Sequence, residues 1–266
     1  LDTTASGQGN GVANLGNRRA LNLNGVTNIA GSTTFGIGGL ANAAGQVFPS
    51  TNGNPGTTNL PIVRIANNSG YLTGNGDIVK DGQGQLEFRA NSPEWKGNLI
   101  IKQGNVYGAN QADVFGTGYT TGKTITLGDA ERQGMAQLLI QNPDNIQNWL
   151  FDIKHDINVV YNPTQTKRIG IDNVANGNRV SFDGNITLND NLIVLLQDGS
   201  ISSGGEQAIL NFNGQLRDGL TTSGNITIQT NDSGGPGAGG ANDNTNGRMA
   251  GYAVLNANNS AWTGDV

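Results

Sequence analysis

Apolar residues in this chain come in short alternating runs, not in the three-and-four spacing of a helix. Leu21/Leu23, Leu86/Phe88, Ile125/Leu127, Ile186/Leu188, Leu210/Phe212 and Ile226/Ile228 each skip one position, the period that places side chains on one face of a strand. Gly, Asn, Asp and Thr separate the runs, and these residues favour corners. The pattern predicts strands at 20–23, 60–66, 76–79, 85–89, 99–102, 124–127 and 137–140. It predicts seven more at 157–161, 168–171, 179–182, 185–188, 192–197, 208–212 and 225–229. Helical spacing occurs once, in Ile146, Trp149, Leu150 and Ile153 within 144–155; that region reads as a strand and corner with a single helical turn.

The grammar of the runs repeats. Gly84-Gln85-Leu86-Glu87-Phe88-Arg89-Ala90-Asn91, a polar turn and Trp95-Lys96-Gly97 return as Gly251-Tyr252-Ala253-Val254-Leu255-Asn256-Ala257-Asn258, a turn and Trp262-Thr263-Gly264. In both, Leu86 and Phe88 or their counterparts face a core, Asn91 and Gly97 make the turn, and Trp95 covers the edge of the apolar stack. Gly184-Asn185-Ile186-Thr187-Leu188 and Gly224-Asn225-Ile226-Thr227-Ile228 stand 40 residues apart (184 to 224), which predicts two rungs of about 20 residues each. Repetition of this kind points to a stacked array: an all-β, right-handed parallel β-helix over residues 1–266 as one continuous solenoid. A Greek-key sandwich fits less well, because Asn-Gly hairpin turns seldom sit between matched alternating runs. Gly/Asn-rich stretches at 31–58, 109–122 and 233–246 break the rhythm and are expected as loop insertions on the outside.

Composition narrows the function classes. Only 13% of the 266 residues are charged, against about 25% in ordinary domains. A net charge of −5 with scattered Lys and Arg disfavours nucleic acid, whose phosphates call for clustered cations. There is no cysteine, so disulfides, thiolate metal sites and a cysteine nucleophile are out. Leu192-Ile193-Val194-Leu195-Leu196 is the longest apolar stretch, far short of the roughly 20 residues of a membrane-spanning helix.

The segment Lys80-Asp81-Gly82-Gln83-Gly84, with Leu86/Phe88, Trp95-Lys96-Gly97, Leu99-Ile100-Ile101, Gly104-Asn105-Val106 and Ile125-Thr126-Leu127-Gly128, resembles the passenger-associated, autotransporter-type β-strand repeat. The likeness covers 80–128 and again 251–266. It implies a bacterial cell-surface or secreted β-solenoid: a passenger domain, an adhesin or a unit of a surface fibre.

Candidate chemistry is sparse. His155, the single histidine, is flanked by Asp152 and Asp156, a pairing that could orient a general base, but no Gly-x-Ser-x-Gly elbow accompanies it. Asp183, Asp190 and Asp198 would mark a polysaccharide-active enzyme if they converged. Tyr107, Phe115 and Tyr119 are the aromatic cluster a carbohydrate-binding module would use. Gly74-Asn75-Gly76-Asp77 is half a calcium-type turn without a tandem partner, and Gly116 to Thr124 lacks the spacing of a phosphate loop. The residues thus point to a structural or adhesive protein with no catalytic residue, metal or cofactor, and with polysaccharide as a possible surface partner.

The repeat also predicts a partner. The copy at 251–266 stops where the copy at 84–106 continues, and residues 1–25 read like the missing half. Leu1, Val12 and Leu15 of one subunit are therefore expected to meet Val254, Leu255, Trp262, Gly264 and Val266 of another, head to tail. The alternative is a window from a longer tandem protein.

Overall fold

The computed structural model describes residues 20–37, 62–65, 70–109, 111–141, 150–172, 179–197, 208–220, 222–230 and 251–266. Leu1, Val12, Leu15, Asp198 and the insertion at 233–246 lie outside them. Every strand pairing is parallel, and no α-helix occurs among these residues. The chain winds as a parallel β-solenoid, as its alternating runs predict.

Eight turns can be followed. The first three carry β1 (Ala20–Leu23), β2 (Thr27–Asn28) and β3 (Thr33–Gly36); β4 (Ile62–Ile65), β5 (Leu72–Gly74) and β6 (Ile78–Asp81); β7 (Gln85–Phe88), β8 (Glu94–Trp95) and β9 (Leu99–Ile101). The fourth has β10 (Gly104–Gly108), a 3-10 turn at Gly118–Thr121 and β11 (Thr124–Leu127). Then come β12 (Gly134–Gln141), β13 (Leu150–Ile153) and β14 (Asp156–Val159); β15 (Gln165–Asp172), β16 (Arg179–Phe182) and β17 (Ile186–Leu188); β18 (Leu192–Gln197), β19 (Ala208–Phe212) and β20 (Leu216–Asp218); and finally β21 (Ile226–Thr230) and β22 (Gly251–Leu255). The first strands of all turns stack into an eight-stranded sheet, β1-β4-β7-β10-β12-β15-β18-β21. The last strands form the seven-stranded sheet β3-β6-β9-β11-β14-β17-β20. The third face is split into β2-β5-β8 and β13-β16-β19-β22.

Register turns alternation into a core. In the long sheet Leu21, Val63, Leu86, Val106, Leu138, Ile169, Val194 and Ile228 lie one over another. The six between the ends are fully buried. Phe88 stacks on Trp95 at 6.0 Å between ring centroids and meets Phe115 edge-on at 5.4 Å; Phe115 meets Phe151 at 6.5 Å. Such pairs add about 1 kcal/mol each beyond area burial.

Four expectations need correction. Rungs are not of uniform length: Asn105 lies over Gln85, 20 residues on, but Ile78 lies over Thr33, 45 residues on (33 to 78). Ile186 and Ile226 are not two rungs of one stack, since Ile186 pairs with Leu216 in the seven-stranded sheet and Ile226 with Leu192 in the long one. Trp95 does not cover an edge; it is fully buried inside the core. The insertions are not wholly external. Residues 33–36 are a strand, with Phe35 and Ile37 buried, and Val114 and Phe115 of 109–122 enter the core. Val114 and Phe115 fill the third face of the fourth turn, the one turn with no strand there among the described residues. The reason is general: an apolar side chain within a polar-looking stretch is driven inward wherever the ladder leaves room. The helical turn expected at 144–155 falls partly outside the described residues; Leu150–Ile153 is strand, and Lys154 and His155 form the corner after it.

Candidate functional site

Both tryptophan motifs build the same corner. The indole Nε1 of Trp95 donates to the Gly76 carbonyl at 2.9 Å, and that of Trp262 to the Gly224 carbonyl at 2.8 Å. Three residues earlier, the Ser92 hydroxyl accepts the backbone N–H of Leu72 at 3.1 Å, and the Asn259 side-chain oxygen accepts that of Leu216 at 2.8 Å. Ser92 and Asn259 also take the N–H of their own tryptophan on the backbone carbonyl. Gly97 sits directly over Gly76, and Gly264 over Gly224. Asn91, expected in the turn, is exposed there, while Ser92 makes the turn's bonds. The Ser/Asn-x-x-Trp-x-Gly spacing carried that information. The two corners occupy different faces, however. Trp95 leads from the third face to the seven-stranded sheet, whereas Trp262 lies beyond β20 and leads back toward the long sheet. The sequence repeat is a portable corner, one face out of phase with the coil.

Cations staple the corners between the two long sheets. Lys80 points inward in a column with Phe35 and Ile101, and its Nζ donates to the carbonyls of Gly82 (2.5 Å), Gln103 (2.9 Å) and Asp81 (3.1 Å). Burial pushes its ammonium down to about 7, against the pull of the Asp81 charge. Lys167 Nζ lies 2.5 Å from both the Asn162 carbonyl and the Asp190 carboxylate. Asp190 is held below the ordinary carboxylate range: burial works in the opposite sense, and hydrogen bonds from Lys167, Asn162 and Asn191 outweigh it. Of the candidate catalytic carboxylates, Asp190 is thus committed to Lys167. Asp183 stands at another corner, accepting from Asn213. They do not converge.

The third-face insertion ends in a polar cluster. Asp113, the one non-glycine residue with positive φ (46°) among those described, accepts the Tyr119 hydroxyl at 3.4 Å and faces Lys154 at 3.8 Å. His155 meets the Tyr119 ring edge-on at 5.3 Å and is buried. Burial pushes its imidazole down to about 4, with the charges of Asp113 and Asp156 opposing. This cluster pins the insertion to the next turn. Phe115 is inside the core while Tyr107 and Tyr119 are half-exposed, so the three aromatics do not form one surface. Asp77, of the calcium-type turn, accepts both nitrogens of Asn98. Among the described residues no group of three or more His, Asp or Glu side chains is placed to hold a metal ion.

The ends of the ladder differ from its middle. Of the eight large apolar side chains exposed among the described residues, Leu21 and Val26 lie in the first turn, and Leu220, Ile228, Leu255 and Val266 lie in or beside the last. Six of the eight therefore sit at the two ends. Among the head-to-tail residues expected from the sequence, Val254, Leu255, Trp262, Gly264 and Val266 are found at one end, with Trp262 half-buried against the core. No protein-family model matches the chain, and no similar curated protein or solved structure is found.

Proposed function

We propose that this chain is a structural or adhesive β-solenoid of a bacterial surface or extracellular fibre, and that copies stack end to end. The observation that carries the reading is the concentration of exposed apolar residues at the two ends of one parallel ladder. An open sheet edge with apolar column ends is a template for another strand, and a head-to-tail contact repeats into a filament unless its rotation closes a ring. The low charge and the likeness of 80–128 to autotransporter-type repeats support a surface setting. An enzyme acting on polysaccharide is the rival; of the three carboxylates it would use, Asp183 and Asp190 stand at separate corners.

Light scattering and electron microscopy across a concentration series test the reading. The protein should form elongated particles, and Ile228→Lys, which charges a half-exposed column end, should raise the concentration needed about tenfold or more. A wild-type protein that stays monomeric at every concentration, or one that cleaves acidic or neutral polysaccharides, overturns it.

A further inference from the structure

We infer that the outer face of the long sheet binds an acidic polysaccharide whose carboxylates are separated by neutral sugars. Arg168 takes one carboxylate, and the pair Arg64 and Arg89 takes another. This rests on the adhesive half of the reading above and names its partner; it does not depend on stacking.

Alternation sets these side chains on one surface. Val63, Leu86, Val106, Leu138 and Ile169 fill the inward column, so the residues beside them in each strand face out. Register aligns the outward side chains in two rows across the strands: Gln85, Asn105, Gln137 and Arg168 in one, Arg64 and Glu87 in the other. Glu87 is buried although it faces out. Arg64 Nε and Arg89 Nε donate to its Oε2 at 2.8 and 2.7 Å, Arg89 Nη2 reaches the same oxygen, and Gln85 Nε2 donates to Oε1. Two guanidiniums thus share one carboxylate, in a chain whose net charge is −5. The contacts use one N–H of Arg64 and two of Arg89, of about five that each guanidinium carries. At the other end of the surface Arg168 forms no ion pair among the described residues. Its Nε, and Asn105 Oδ1 in the same row, are shielded from water and have no hydrogen-bond partner. A buried polar group left unpaired is costly, and two in one row call for a partner.

The unmet groups specify the ligand. Asn105 Oδ1 lacks a donor and Arg168 Nε lacks an acceptor, two strand spacings or about 10 Å apart. Gln137, between them, can donate and accept. Sugar hydroxyls also do both, so one chain of sugars can meet all three. From the strand of Glu87 to that of Arg168 is about 14 Å, and the row between carries only carboxamides. A polymer charged at every unit would lay charge on those neutral groups. Acid groups at intervals, with hydroxyls between, match the surface.

The probe is an oligosaccharide alternating glucuronate with N-acetylglucosamine, titrated calorimetrically into the full chain at fixed low salt. It should bind and be recovered uncleaved, and its methyl ester should bind about tenfold more weakly. Arg168→Met should weaken binding about tenfold or more with the urea midpoint unchanged or higher, because no protein partner is lost. Asn105→Leu, which keeps the shape and removes the acceptor, should weaken it too. Arg217→Met removes the same charge from the outer face of the seven-stranded sheet and should bind as the wild type does. A wild type that does not bind, unchanged binding in Arg168→Met and Asn105→Leu, or an equal loss in Arg217→Met overturns the site. So does equally tight binding of double-stranded DNA, which would report a general attraction for polyanions. If binding fails while fibres still form, the site falls and the stacking reading stands; a wild type that neither binds nor assembles removes both.

Discussion

His155 occupies a corner position where other turns carry glycine. Gly184 and Gly214 follow it in the same column, each so close to the carbonyl beneath that a Cβ would sit 2.1 Å or 1.9 Å from it. Below His155 the insertion replaces that stacked corner, and the imidazole packs on Tyr119 instead. Its acid behaviour follows. The ordinary imidazole value is about 6.5, and burial lowers the folded value to about 4. Between those limits the unfolded chain takes up a proton that the folded chain refuses. Stability is therefore full above pH 6.5, falls as pH drops through the window, and is lower by about 3 kcal/mol at pH 4 and below. Urea midpoints for the wild type and His155→Phe, compared from pH 7.5 to 3.5, check this: the gap between them should change only inside that window. A constant gap removes His155 from the acid response. The inward lysines act differently, since Lys80 fills a cradle of three carbonyls that only a donor satisfies.

At the scale of the element, the corner glycines decide where turns can stack. A Cβ on Gly97 would lie 1.9 Å from the Gly76 carbonyl and 2.7 Å from the Trp95 indole nitrogen. Gly97→Ala must displace the indole from its acceptor, at a cost of about 3 kcal/mol for overpacking plus a lost buried hydrogen bond. Gly31 heads the same column, but nothing lies within 4 Å of its Cβ position. Gly31→Ala should therefore change stability by no more than about 0.5 kcal/mol. Equal effects in thermal or urea unfolding would contradict the stacking account. Strands such as Thr124–Leu127, Arg179–Phe182 and Leu192–Gln197 were legible to the residue, because alternation encodes one buried face directly. Thr27–Asn28, Leu72–Gly74 and Glu94–Trp95 were not, being too short for a period. The faces to which Ile186 and Ile226 belong were hidden as well, since variable loops uncouple sequence distance from rung number. Of the corner motif, Trp95 and Gly97 were readable, while the role of Ser92 depends on a backbone donor 20 residues away (72 to 92). The exposed column ends were the least legible feature, because Leu21 and Ile228 alternate just as their buried neighbours do.

Over the whole molecule, each turn gains its support from the turn on either side, so stability is close to a sum of neighbouring interfaces. The central turns have two such neighbours. They also hold the aromatic run from Trp95 to Phe151 and the Lys167–Asp190 pair, buried between successive turns. Among the described residues β1 has one paired edge, and β21 has one besides the Ile226 N–H that the Asp265 carbonyl accepts. Amide exchange in a dilute sample should therefore be graded, slowest at Val106, Leu138 and Ile169 and fastest at the terminal strands, because local opening follows the density of buried contacts. Concentration supplies the discriminating step. If copies stack end to end as proposed, raising the protein concentration should slow exchange in the first and last turns about tenfold or more while leaving Val106 and Leu138 unchanged. A uniform slowing of all strands would indicate general stabilisation in place of end-to-end stacking, because only the terminal turns gain a neighbour when copies meet.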